Sequence, residues 1–241
     1  MTSIRVHLLP DLVADGALAG ATVVVIDCLR ATTTIAYALA AGAREVIPCL
    51  EVDEARQRAA AFGKGEALLG GERQGVRIEG FDLGNSPTEY TPAAVGGRTI
   101  VFTTTNGTRA MMRCRGAKHV LLGSLVNRAA VAEALRGEAN IHIVCAGTRG
   151  EISREDVLTA GAIAAPLVGD RSGWQWNDET ALALDAWHSA ERQGLVAALH
   201  DSQGGRNLMA EGFEHDIATA ARLDTISLAP QLDVRAWTIR A

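Results

Sequence analysis

Six short apolar runs, most of them followed by a stretch with helical spacing, constrain the fold of this chain more than any other feature. They lie at Ala21 to Ile26, Glu45 to Cys49, Ala67 to Gly70, Thr99 to Thr103, His119 to Gly123 and Ile141 to Ala146. Continuous and apolar, they read as strands buried on both faces. Helical spacing occupies Thr33 to Ala41, Asp53 to Phe62, Thr108 to Cys114, Asn127 to Leu135 and Arg154 to Val168. The alternation predicts an α/β fold, a doubly wound and largely parallel sheet with helices on both faces and right-handed crossovers.

Beyond Gly169 the pattern changes to helices at Asp178 to Gln193, Leu195 to His200, a short one near Ser202, and Phe213 to Arg222. A helical C-terminal part that caps or flanks the sheet is therefore expected. It ends in an apolar tail with Ile226 to Leu228 and Val234 to Ile239. A short internal echo links Ala41 to Ile47 with Arg115 to Leu121, each carrying a helix into a strand. Duplication explains it, and so does the generic need for Gly at a helix end before a buried strand. With 241 residues the chain suffices for a single domain or for two fused α/β halves, 1–95 and 96–241.

Charge and composition exclude several function classes. Against 28 acidic residues stand 23 basic ones, a net charge of −5, so the overall field repels polyanions and leaves no footprint for nucleic acid. An anionic ligand must be captured by a local site. No apolar run reaches the roughly 18 residues of a membrane span, and Met1 to His7 lack a basic segment leading into a long apolar one. A cytoplasmic protein without membrane partners is expected, and a homodimer is the default for a soluble enzyme of this size. Cys28, Cys49, Cys114 and Cys145 form no CxxC pair and are expected to be buried thiols. The histidines show no HExxH spacing, so zinc is not indicated, and His119 and His142 fall in strand patterns where a core role is expected. Core packing or a partner interface is expected of Trp174, Trp176 and Trp187.

In open parallel sheets ligands bind where strands end and helices begin, and three such segments carry the residues of an anion site. The first runs from Asp27 to Thr34: a strand stops at a carboxylate and turns through Arg30 and the hydroxyls of Thr32, Thr33 and Thr34 into a helix. Asp27 is suited to a cation, and Arg30 with the threonines to a phosphate or sulfonate. Helix capping by Asp27 is the structural alternative. The second, Thr103 to Arg109, repeats the design with Thr104, Thr105, Asn106, Gly107, Thr108 and Arg109. It is not a Walker loop, since GxxxxGK[ST] is absent. In the third, Cys145 to Asp156, Glu155 or Asp156 would complete an oxygen-rich metal site with Asp27; alternatively Ser153 and Asp156 form a capping box. A cysteine-phosphatase mechanism is rejected, because Glu151 occupies the position where that chemistry requires Arg. Between these segments, the stretch from Gly63 to Val95 is suited to long loops, and Glu72, Arg73 and Asp82 are candidates to face the ligand.

Taken together, Asp27 to Thr34, Gly71-Glu72-Arg73, Gly80 to Pro87, Thr103 to Arg109, Cys145-Ala146-Gly147 and Glu155-Asp156 resemble, in order, the 2-phosphosulfolactate phosphatases, often called ComB. A C-terminal stretch with Ser202, Gly204, Leu208, Gly212, Asp216 and Ile217 is similar as well, so the resemblance runs from about Val23 to Asp224. It implies a ComB-like fold and an Mg²⁺-dependent hydrolase that releases phosphate and sulfolactate from 2-phosphosulfolactate in coenzyme M biosynthesis. Where an apolar residue such as Val is expected after the aspartate, this chain has Cys28. The site expected has Asp27, Arg30 and Arg109 as catalytic residues and Asp27, Glu155 and Asp156 as Mg²⁺ ligands. The threonine loops, Glu72, Arg73 and Asp82 would contact substrate. A phosphatase for another small anionic phosphomonoester, or a noncatalytic anion-binding protein, would need much the same cradle.

Overall fold

All six predicted runs form strands, and with five further strands they pair into one sheet in the computed structural model, which describes residues 2–169 and 173–241. The first half contains β1 (Thr2–His7), β2 (Thr22–Ile26), α1 (Ala31–Ala40), β3 (Glu45–Pro48), α2 (Val52–Ala60), β4 (Ala67–Arg73), β5 (Val76–Arg77) and the short α3 (Pro92–Val95). Next come β6 (Thr99–Thr103), α4 (Gly107–Arg113), β7 (His119–Gly123), α5 (Arg128–Ala134), β8 (Asn140–Cys145) and α6 (Arg154–Val168). The C-terminal part holds β9 (Trp174–Trp176), α7 (Asp178–Gln193), α8 (Leu195–His200), α9 (Gln203–Ala210), α10 (Glu214–Ala220), β10 (Gln231–Asp233) and β11 (Thr238–Arg240).

The strand order is β5-β4-β6-β3-β11-β10-β7-β2-β8-β1-β9. It consists of two parallel blocks, β4, β6 and β3 on one side and β7, β2, β8, β1 and β9 on the other. The hairpin of β10 and β11 stitches them together and is antiparallel to its neighbour on each side. Three antiparallel steps in succession mean that the two blocks run in opposite senses. The hairpin sits between β3 and β7, the two strands into which the echoed segments lead. The blocks interleave the stretches 1–95 and 96–241: β6 lies between β4 and β3, and β2 between β7 and β8.

One core cluster holds Val23, Val25, Val46, Ile100, Phe102 and Leu122 from both blocks together with Ile35 and Leu39 of α1 and Met111 of α4. Those two helices are thus packed between the blocks, with their first turns beside Asp27. On the other face, Ile4, Val6, Ile26, Ile141 and Ile143 pack against Leu158, Ile163, Leu184 and Trp187 of α6 and α7. A Cβ at Gly161 would collide with the Ala183 carbonyl, so a glycine lets α6 and α7 approach closely.

Several expectations are corrected. The strand β1 was not expected, because near the sheet margin only Ile4 and Val6 need to be apolar and no continuous run results. The apolar stretch Val234 to Ile239 is not one segment but the turn and second strand of the closing hairpin. His119 is only half-buried and meets Gln231 across the hairpin, whereas His142 is buried against His7. Trp174 and Trp176 form the half-buried edge strand β9, while Trp187 is in the core beneath the Arg128 guanidinium. The four cysteines are free and buried, as expected. Among the described residues no helix is long and apolar enough to cross a membrane.

Candidate active site

The loop after β2 is fastened almost entirely by its own hydroxyls. Thr32 Oγ1 lies 2.9 and 2.7 Å from the carbonyl oxygens of Asp27 and Gly123 and accepts from the Asp27 N–H. Thr33 Oγ1 donates to Cys28 O at 2.8 Å and Thr34 Oγ1 to Asn85 O at 2.9 Å. Expected to hold an anion, these three buried hydroxyls instead shape the backbone that carries Asp27 and Arg30. Asp27 Oδ1 accepts from the Ala31 N–H at 3.1 Å. Its capping role is therefore real, and its second oxygen points elsewhere.

That second oxygen faces the loop after β6. A Cβ on Gly107 would lie 2.8 Å from both Asp27 Oδ2 and the Ala31 methyl, so only a glycine lets the start of α4 come this close to α1. Thr108 Oγ1 accepts from the Thr104 N–H. Thr105 donates its N–H to Glu72 Oε1 at 2.7 Å, and Gly75 donates to Glu72 Oε2 at 2.7 Å. Glu72 is thus buried and held in place by backbone donors from two loops. It reaches there because Gly71, with φ +137°, leaves room for the Thr103 backbone where a Cβ would collide.

From the third segment come two buried carboxylates with different environments. Both oxygens of Asp156 are engaged, Oδ1 by the Cys28 N–H at 2.8 Å and Oδ2 by the Gly147 N–H at 2.9 Å, which ties the loop after β2 to the loop after β8. Glu155 Oε1 accepts from the Gly204 N–H at 3.1 Å, while Glu155 Oε2 is buried with no hydrogen-bond partner. The alternative, a capping box, does not form: Ser153 Oγ meets Thr148 Oγ1 instead.

Arg30 is 3% exposed and clamped. One nitrogen donates to Asp216 Oδ2 at 2.7 Å, another to Gly75 O at 2.8 Å, and the guanidinium lies 4.4 Å from the Phe213 ring centroid. Asp216, fully buried, also accepts from Ser86 Oγ at 2.6 Å. Asp27, Arg30, Glu72, Thr105 and Asn106 line one cavity of about 240 Å³, together with Arg149 and Glu211. Arg109 is exposed and lines a neighbouring cavity that shares Asn106 with the first. Arg73 and Asp82 are not brought in. Arg73 braces Leu50 O and Thr103 Oγ1, and exposed Asp82 accepts from the Leu69 N–H. Gln74, Gly75, Asn85, Asn207 and Glu211 were not anticipated as lining residues. Arg149 stood in the third segment and Asp216 in the C-terminal stretch already noted, but no local pattern marks Glu211.

Electrostatics set these carboxylates apart from ordinary surface acids. Burial pushes Asp27 up to about 7, with backbone donation from Ala31 opposing and the charges of Glu72 and Glu155 adding to the rise. Burial raises Glu155 and Asp156 as well, and Asp156 further through Glu155 and Asp27. Among the described residues no three His, Cys, Asp or Glu side chains gather as a complete metal cage. Mg²⁺ needs none, since it keeps waters and takes one or two carboxylates plus phosphate oxygens. The orphaned Glu155 Oε2 and the mutually repelling charges of Asp27 and Glu155 fit such an ion.

A sequence model described as 2-phosphosulpholactate phosphatase matches residues 7–234. The chain belongs to the 2-phosphosulpholactate phosphatase family. Among its family relatives, a protein of Symbiobacterium thermophilum named "Probable 2-phosphosulfolactate phosphatase" is 45% identical over 88% of this chain and 91% of its own length. A Caldanaerobacter subterraneus protein of the same name is 42% identical, covering 90% of each chain. One from Synechococcus, also so named, is 39% identical over 93% and 94%.

Proposed function

We propose that this protein hydrolyses the phosphate ester of 2-phosphosulfolactate, yielding (R)-3-sulfolactate and inorganic phosphate with Mg²⁺ as cofactor. The observation that carries the reading is the pairing, at the meeting of three strand-end loops, of an unpartnered buried Glu155 oxygen with an Asp27 carboxyl whose charge burial and the acidic neighbours oppose. Asp27 and Glu155 would hold the ion, and Asp156 would brace the two loops that carry them. When bound, Mg²⁺ supplies positive charge to phosphoryl oxygens. Arg30, held by Asp216 and Gly75, keeps N–H groups beyond those two bonds for the same oxygens without having to reorganise. Glu72 fixes the Gly75 and Thr105 backbone around the cavity.

Phosphate release from 2-phosphosulfolactate, followed with Mg²⁺ and with EDTA, tests the reading. Release that depends on Mg²⁺ and falls roughly 10²–10⁴-fold in Asp27→Asn, with an unchanged circular dichroism spectrum, is expected. Full activity in Asp27→Asn, or in EDTA, would contradict it.

A further inference from the structure

We infer that Arg149, with Arg109 beside it, recognises a second anionic group of the substrate, the one that is not hydrolysed; this rests on the phosphatase reading above. The cavity with Asp27 and Glu72 adjoins the one with Arg109, and Asn106 lines both. Arg149 lines the first, at that junction. Among the described residues neither the Arg109 nor the Arg149 guanidinium makes a hydrogen bond or a close ion pair, and the charge of Arg149 acts on Glu211, which lines the same cavity. Arg113, the other arginine of the second cavity, is taken up by Val13 O and Asp15.

The backbone supports the same assignment. Arg149 has φ +55°, a left-handed conformation that side chains disfavour, between Gly147 at +68° and Gly150 at +82°. The loop thus uses glycine at two of its three left-handed positions and arginine at the third. Asn106 Oδ1 accepts from the Arg149 N–H at 3.1 Å, holding that conformation against the loop after β6. A disfavoured conformation at a side chain that makes no hydrogen bond within the fold points to what the side chain does with a ligand. The buried carboxylates below repel a multiply charged ester, and free guanidinium groups at the rim offset that repulsion. The ligand class is a phosphate monoester bearing a second strong oxyanion; sulfonate and carboxylate share the chemistry that a guanidinium fork matches.

Three esters separate the sources: 2-phosphosulfolactate carries both anions, 2-phospholactate the carboxylate alone, and phenyl phosphate neither. Steady-state kinetics and thermal midpoints are compared for the wild type, Arg149→Gly and Arg149→Lys. In Arg149→Gly, kcat/KM for 2-phosphosulfolactate relative to phenyl phosphate should fall at least tenfold, mainly through KM, while the thermal midpoint holds or rises. Arg149→Lys should recover part of the discrimination. A loss that separates the first two esters assigns the sulfonate, and one that separates the second from the third assigns the carboxylate. Phosphate release from all three esters with an equal change on each in Arg149→Gly overturns this inference alone. A wild type that releases phosphate from none of them sinks the phosphatase reading as well.

Discussion

Glu155 shows how a single atom distinguishes residues of the same type. Asp156 next to it has both oxygens occupied by backbone N–H groups, whereas Glu155 Oε2 has none. An unpaired buried carboxylate oxygen is costly, and an ion bound there, as proposed, would offset that cost. The sign follows from the raised acids: Asp27 keeps its proton in the folded chain up to about pH 7, after the unfolded chain has lost its own. Its stabilising contribution is complete below the unfolded value and is lost as the pH rises through about 7. Glu155→Gln removes one of the charges that cause this. In EDTA it should raise the thermal midpoint at pH 8 by roughly 2–4 °C, equivalent to about 1 kcal/mol for a chain of this size, and by less at pH 5. Mg²⁺ should raise the midpoint of the wild type at pH 8 and leave the variant unmoved. Breaking one partner of the buried, hydrogen-bonded pair of Arg30 and Asp216 leaves the other charge uncompensated, so Asp216→Asn should cost about 3–5 kcal/mol in a urea titration.

At the scale of elements, loop endings matter more than helix interiors. The helices α6, α7 and α8 have the predicted boundaries, and most of the others differ by one or two residues, within the ordinary fraying of helix ends. The three candidate loops do follow β2, β6 and β8, since apolar runs mark where strands stop. Their hydroxyls were not: Thr32, Thr33 and Thr34 suit an anion or a carbonyl equally well, and only the neighbouring carbonyls decide. The pairing of β1 with β8 carries its own pH signature. His7 Nε2 and His142 Nδ1 lie 2.8 Å apart, so the pair shares a single proton between them. Burial pushes His142 down to about 4, with His7 and Arg5 adding to it, and burial lowers His7 too. As pH falls below the ordinary histidine value the unfolded chain takes up protons first, so stability declines from about pH 6.5 towards 4. The buried acids of the site act in the opposite sense, so the histidine contribution is read by difference: the urea midpoint of His142→Asn relative to the wild type should rise as the pH falls from 7 to 5.

For the whole molecule, the C-terminal hairpin is what makes two parallel blocks into one sheet. Without it β3 and β7 would each present an unpaired edge. Its anchors are specific: Trp237 is buried and donates its indole N–H to Pro48 O at 2.9 Å, and Arg240 pairs with Glu45. Trp237→Ala should therefore destabilise by about 3–5 kcal/mol, measured by denaturant unfolding, and should also lower phosphate release. The loss of activity is expected because the candidate cavity takes walls from both blocks, Asp27 from one and Glu72 and Thr105 from the other.

Local pattern alone determined the six main strands, most of the helices, the chemical types at the site and the order in which the loops present them. That is because apolar runs, spacing and turn residues act over a few neighbours. Only the folded arrangement decided that the blocks run in opposite senses and are closed by the chain's last strands. It also decided that Arg109, Arg73 and Asp82 stay outside the cavity with Asp27 while Arg149 and Glu211 enter it. Each of these depends on contacts between residues distant in the chain, and hydrophobic spacing carries no information about which loop meets which. A carboxylate oxygen left without a partner, as at Glu155 Oε2, becomes visible only when every group that can reach it is in place.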